Sequence, residues 1–142
     1  MAIYIIIPVY NEAHNIVSVL NDALLVIGKT GLNFKIIIIN DGSIDETADL
    51  LNKLLLDESV EILHHKRRCG IGSVLTEGLR YAIGLSKSED DILIVMEGDG
   101  TSDVTLLPGI IESIQCKKDV IIASRFLRES RLIGFPFLRK IL

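Results

Sequence analysis

Ile92-Leu93-Ile94-Val95-Met96-Glu97-Gly98-Asp99-Gly100 runs from an apolar strand straight into an acidic, glycine-rich turn. Along an extended chain, residues i and i+2 point the same way. Glu97 and Asp99 therefore present two carboxylates side by side where the strand leaves its sheet. Gly98 and Gly100 remove bulk, so a ligand can approach the backbone. Paired hard oxygen donors at an open position suit Mg²⁺ or Mn²⁺ carrying a diphosphate, because Mg²⁺ usually takes one or two carboxylates plus phosphate oxygens. An acidic turn after a strand explains this stretch alone equally well.

The same design recurs on either side of it. Ile3 to Ile7 is a β-branched run stopped by Pro8, and Phe34 to Ile39 is a second, ending in Asn40-Asp41-Gly42-Ser43. Val60 to Leu63 is a short third strand, followed by His64-His65-Lys66-Arg67-Arg68 and Cys69-Gly70-Ile71-Gly72. Val120 to Ala123 reads as the last strand, with Ser124-Arg125 after it. Helical spacing fills the gaps. It begins at Ala13, Ile16, Val17 and Leu20, and again from Ser43 with Glu46 as a capping box running to about Leu56. A third helix carries Ile71, Leu75, Leu79, Ala82 and Ile83 on its expected core face. A fourth carries Leu106, Leu107, Ile110, Ile111 and Ile114, with Pro108 tolerable in its first turn.

Strands that are apolar throughout and alternate with helices predict an α/β fold, a mostly parallel sheet buried on both faces. Ligands of such sheets bind beyond the carboxyl ends of the strands. The polar clusters all fall at those ends: Pro8 to Glu12, Asn40 to Ser43, His64 to Gly72, Glu97 to Thr101, and Ser124-Arg125. Adjacent His64 and His65 point to opposite faces and are expected as exposed strand-end residues, not metal ligands.

At 142 residues the chain is long enough for one substantial core, and 49% hydrophobic residues without low complexity argue against disorder. The net charge of −4 divides unevenly: from Arg125 onward the chain carries +4, and the rest −8. That balance disfavours a general nucleic-acid binder and favours an anionic partner near the basic end. Cys69 and Cys116 lack metal-site spacing and suit a reducing compartment. The first residues lack the basic start of a signal peptide, and no apolar run approaches the ~20 residues of a membrane span. A cytoplasmic domain is the expectation.

Five pieces together resemble the inverting glycosyltransferase family 2: Ile-Pro-Val-Tyr-Asn-Glu at 7–12, Asn-Asp-Gly-Ser-Ile-Asp-Glu-Thr at 40–47, Gly-Ile-Gly-Ser at 70–73, Glu-Gly-Asp-Gly at 97–100 and Ala-Ser-Arg-Phe at 123–126. Within that family the chain looks most like polyprenyl-phosphate sugar transferases of the dolichol-phosphate mannose synthase type. The resemblance implies a GT-A (Rossmann-like) three-layer α/β/α fold and a nucleoside-diphosphate sugar donor, UDP- or GDP-linked. It implies that Pro8, Tyr10 and Glu12 line the nucleotide pocket and that Asp41 contacts base or ribose, although Asp-Gly-Ser is also ordinary turn chemistry. It places Arg68 near the diphosphate and Arg125 near donor or acceptor phosphate. Glu97 and Asp99 become the ligands of Mg²⁺ or Mn²⁺, Asp99 being central to catalysis, and the acceptor becomes a polyprenyl phosphate.

Two departures stand out. Glu97 holds a place where the family usually has aspartate; one methylene longer, it remains an oxygen ligand. The chain also stops early, so residues 1–126 are expected to form the nucleotide-sugar-binding core. Residues 127–142 then begin an acceptor-side or membrane-proximal region whose aromatics and basic residues suit a membrane surface or self-association. Three other readings stay open. One is a same-fold enzyme acting on a saccharide hydroxyl. A nucleotidyltransferase would need a lysine-bearing glycine loop after the first strand, which Val9-Tyr10-Asn11-Glu12 is not. The third is a non-catalytic nucleotide-binding module.

Overall fold

The computed structural model describes residues 1–54, 58–116 and 118–124. Its order is β1 (Ala2–Val9), α1 (Ile16–Gly28), β2 (Asn33–Asn40), α2 (Thr47–Lys53), β3 (Val60–His64), α3 (Ile71–Leu85), β4 (Ile92–Val95), a 3₁₀ turn (Val104–Leu106) and α4 (Leu107–Gln115). Among the described residues the sheet runs β3-β2-β1-β4 and every pairing is parallel. Both faces are covered, as the continuous apolar strands require. Ile3, Ile5, Ile7, Val9, Ile36 and Ile38 pack in one core with residues of α1, α2 and α4. The alternate residues Tyr4, Ile6, Ile37 and Ile39 pack with Val74 and Ala82 of α3. The result is three layers, α/β/α.

The helix α3 turns a different face inward from the one its large residues suggest. Val74, Gly78 and Ala82 are buried, whereas Ile71 and Ile83 are exposed. The cause is close packing on the sheet. A Cβ on Gly78 would lie 2.6 Å from Ile6 Cγ2 and 2.8 Å from Ile39 Cδ1, so the small-residue stripe is the one that fits. Pro108 does sit in the first turn of α4, where its missing N–H costs nothing. Helix α1 begins at Ile16 instead of Ala13, since residues 11–15 form a loop that starts with Asn11 at φ 55°.

Val120 to Ala123 is not a strand. It has no partner ladder among the described residues, and Val120 and Ile122 are 75% and 80% exposed. A β-branched run forms a strand only where a neighbouring edge receives it. Arg125 and residues 127–142, together with the expectations attached to them, lie outside the described residues.

Asp91, just before β4, ties the start of the chain to the sheet. Its carboxylate accepts from the Ala2 N–H at 2.6 Å, from the amides of Lys87 and Ser88, and from the Ser86 hydroxyl. The Ala2 and Lys87 amides lead in holding its pKa down to about 2.

Two expectations follow. Gly78→Ala should destabilise the fold by about 1–3 kcal/mol through overpacking, read by denaturant unfolding. An unchanged midpoint would show that Ile6 and Ile39 yield freely. Because the Asp91 pKa is depressed, its contribution is present above pH 3.8 and is lost as pH falls towards about 2. The melting temperature should therefore fall more steeply over that window in the wild type than in Asp91→Asn, and parallel slopes would refute the assignment.

Candidate active site

The carboxyl ends of β1, β2 and β4 and the start of α3 enclose a cleft of about 300 Å³. Its lining includes Pro8, Tyr10, Glu12, Asp41, Arg68, Glu97 and Asp99. These are all the described residues expected there from sequence; Arg125 lies outside the described residues. The parallel sheet brings them together: four strands pointing the same way deliver their following loops to one rim.

Asp41 is the buried charge of the site, 4% exposed. Its Oδ1 accepts from the Cys69 N–H at 2.7 Å and lies 3.0 Å from His65 Nδ1, while Oδ2 accepts from the Gly70 N–H at 2.9 Å. Burial works against the charge, but the Cys69 amide, His65 and the Gly70 amide outweigh it, so the pKa is lowered. Asp41 thus anchors the whole 65–70 loop to the end of β2. His65 is drawn in with it and is not the exposed residue the sequence suggested. Its other nitrogen lies 2.5 Å from Glu77 Oε2, its side chain is only 11% exposed, and Glu77 and then Asp41 raise its pKa. His64 remains exposed, with its Nδ1 3.0 Å from Asn40 Nδ2.

Arg68 projects from this anchored loop and lies over the Tyr10 ring, Cζ to centroid 4.1 Å, a cation–π pair on the cleft wall. Opposite, the Thr101 hydroxyl is 2.7 Å from both Glu97 Oε2 and Asp99 Oδ1. A hydroxyl has one proton, so it can donate to one carboxylate at a time. Two carboxylate oxygens converging on one point in this way are a donor pair that a hard divalent cation would fit.

Sequence reasoning missed what holds the rim together. The loop after β1 and the loop after β2 are laced by four bonds. Asn11 N–H donates to Ser43 Oγ, Ile44 N–H to Asn11 Oδ1, Glu12 N–H to Thr47 Oγ1 and Ala13 N–H to Asp45 Oδ2. Ser43 is therefore engaged away from α2 and makes no capping box. The N-cap position falls to Glu46, without a side-chain cap bond. Glycines also serve close packing here. Gly98 lines the cleft and is buried, and a Cβ there would lie 3.0 Å from Val9 Cγ2 and 3.1 Å from the Pro8 carbonyl oxygen, so a side chain would meet β1. Gly42 (φ 66°) has the Arg67 and Arg68 backbone at 2.5–2.8 Å from where a Cβ would stand. Only the residue type could have hinted at either contact.

The family model for glycosyl transferase family 2 matches residues 4–136. The chain belongs to glycosyl transferase family 2. Among similar members, a dolichol-phosphate mannosyltransferase of Pyrococcus furiosus is 29% identical over all of this chain and 38% of its own length. An undecaprenyl-phosphate mannosyltransferase of Micrococcus luteus is 27% identical over all of this chain and 56% of its own. A polyprenol monophosphomannose synthase of Mycolicibacterium smegmatis is 25% identical over 97% and 50%. The chain thus spans between nearly two fifths and just over half of these family 2 relatives. The solved structure of S. aureus TarS 1–349 matches 80% of this chain and 33% of its own, with a TM-score of 0.59 and 21% identity, and shares the GT-A fold. Among the described residues no helix is long and apolar enough to cross a membrane.

Gly42→Ala should cost about 1–2 kcal/mol from its left-handed backbone and displace the 67–68 backbone as well. Hydrogen exchange at Cys69 and Gly70 should quicken, because their bonds to Asp41 depend on that approach. Protection equal to the wild type at both amides would refute the close contact.

Proposed function

We propose that the chain is the donor-binding part of an inverting glycosyltransferase. In this reading it takes a UDP- or GDP-linked sugar and passes the sugar to a polyprenyl phosphate. The observation that carries it is the convergence of Tyr10, Asp41, Arg68, Glu97 and Asp99 on one cleft. The names of the P. furiosus, M. luteus and M. smegmatis relatives support a polyprenyl-type phosphate acceptor and suggest mannose as the sugar.

Each residue has a role that its chemistry supports. Pro8, Tyr10 and Glu12 form the side of the pocket that takes the nucleoside, the ring offering a stacking face and the carboxylate an acceptor. Asp41 contacts base or ribose from its anchored position, or holds the loop that does. Glu97 and Asp99 would hold Mg²⁺ or Mn²⁺, which neutralises charge developing on the leaving diphosphate. Arg68 adds a fixed positive charge on the opposite wall, and Arg125 is assigned the same task from its motif. A phosphate monoester acceptor is already ionised near neutral pH, its second pKa being about 6, so the reaction needs little general-base help. The basic and apolar residues of 127–142 would bring the domain to the cytoplasmic membrane surface or to a second copy, where the lipid acceptor resides.

Calorimetric titration of UDP and GDP with and without Mn²⁺ tests this. One of them should bind with metal dependence, Asp99→Asn should weaken that binding at least about tenfold (about 1.4 kcal/mol), and Glu97→Asp should retain it. Metal-independent binding, or an unaffected Asp99→Asn, would overturn the metal–diphosphate assignment.

A further inference from the structure

At the edge of the cleft, Asp41, which lines it, and His65 and Cys69 of the adjoining loop each offer one donor atom, and the three atoms lie within 4.8 Å of one another. We propose that they form a site for a borderline-soft divalent ion, Zn²⁺ in kind, separate from the hard-cation pair Glu97 and Asp99. The donor types differ as the ions do. Carboxylate oxygens alone suit Mg²⁺ or Mn²⁺, whereas imidazole and thiolate select zinc.

The geometry is that of a metal site with a proton in the metal's place. Asp41 Oδ1 and His65 Nδ1 are 3.0 Å apart. Ligands about 2.0–2.3 Å from a tetrahedral ion stand roughly 3.3–3.7 Å from each other, so this pair needs only to open slightly. The Cys69 side chain is exposed, its thiol donating to the Arg67 carbonyl at 3.3 Å, and turns in to complete the set. Glu77 supplies the supporting contact. Its Oε2 sits 2.5 Å from His65 Nε2, which keeps that nitrogen protonated and leaves Nδ1 as the ligand. Metal-bound histidines usually carry such a carboxylate on the far nitrogen. A water takes the fourth position.

The charges balance. Without metal the group is an Asp41 carboxylate, a His65 imidazolium on two carboxylates, and a Cys69 thiol. With Zn²⁺ it is a carboxylate, a neutral imidazole and a thiolate around a dication. The net charge is unchanged, and two protons go to solvent, one from His65 Nδ1 and one from Cys69 Sγ. The ion would replace a hydrogen bond between β2 and the 65–70 loop with coordinate bonds, clamping the loop that carries Arg68.

Co²⁺ is the test probe, followed by Zn²⁺ competition, in thiol-free reducing buffer. The wild-type chain should develop a thiolate-to-cobalt charge-transfer absorption that Zn²⁺ abolishes. Calorimetry of Zn²⁺ in buffers of different ionisation enthalpy should show net proton release on binding. Cys69→Ser should lose the band, while Cys116→Ser and Asp99→Asn should keep it. Glu77→Gln should weaken the affinity about 10–100-fold. No band in the wild type, or a band that survives Cys69→Ser, would overturn the site. Because Asp99→Asn is scored by its cobalt band here and by nucleotide affinity above, either reading can fail without the other.

Discussion

A carboxylate shielded from water must find its partners in the protein, and Asp41 finds three of them in a single loop. The Cys69 and Gly70 amides and the His65 ring all aim at its two oxygens. Without those bonds the ionised group would face an uncompensated burial cost of several kcal/mol. With them, the 65–70 segment has a fixed place. Arg68 owes its position over Tyr10 to that segment, and α3 starts at its end. One charge at the tip of β2 therefore sets a wall of the cleft and the entry of a helix.

Close backbone approach is the second requirement. Gly42 lets the 67–68 backbone come against the turn after β2, Gly98 lets the turn after β4 lie on the end of β1, and Gly78 lets α3 lie on the sheet. In each case a side chain would occupy space already filled by protein atoms. The three sites are spread over the sequence but do one job, bringing elements within hydrogen-bonding or packing distance where the cleft is built.

Much of this was legible in the sequence because it depends on local chemistry. Continuous Ile runs announce strands buried on both faces, and the polar residue after each run marks the rim. That logic located the clusters Pro8 to Glu12, Asn40 to Ser43 and His64 to Gly72 and the pair Glu97 and Asp99, whereas Pro8, Tyr10, Glu12, Asp41 and Arg68 were singled out within those clusters by the family resemblance. Features set by tertiary contact were not legible. Helix α3 presents Val74, Gly78 and Ala82 because the sheet is near, a fact absent from its own periodicity. Ser43 looked like a cap because Glu46 follows it, yet it accepts from the Asn11 amide, 32 residues away. His65 looked exposed beside His64 until Glu77, nearly two turns into α3, came within reach of it. Val120 to Ala123 has the residues of a strand but lacks a neighbouring edge among the described residues.

The order β3-β2-β1-β4 also acts as a ruler. Asp41 follows β2 and the Glu97–Asp99 pair follows β4, with β1 between them and hydrogen-bonded to both. Neighbouring strands are held about 4.7–4.9 Å apart by their backbone ladders. The backbone ends of β2 and β4, from which the two polar groups spring, are therefore roughly 9–10 Å apart, a spacing set by the sheet. A ligand that engages both sides therefore passes over the end of β1 and needs a recognisable group on each side of it.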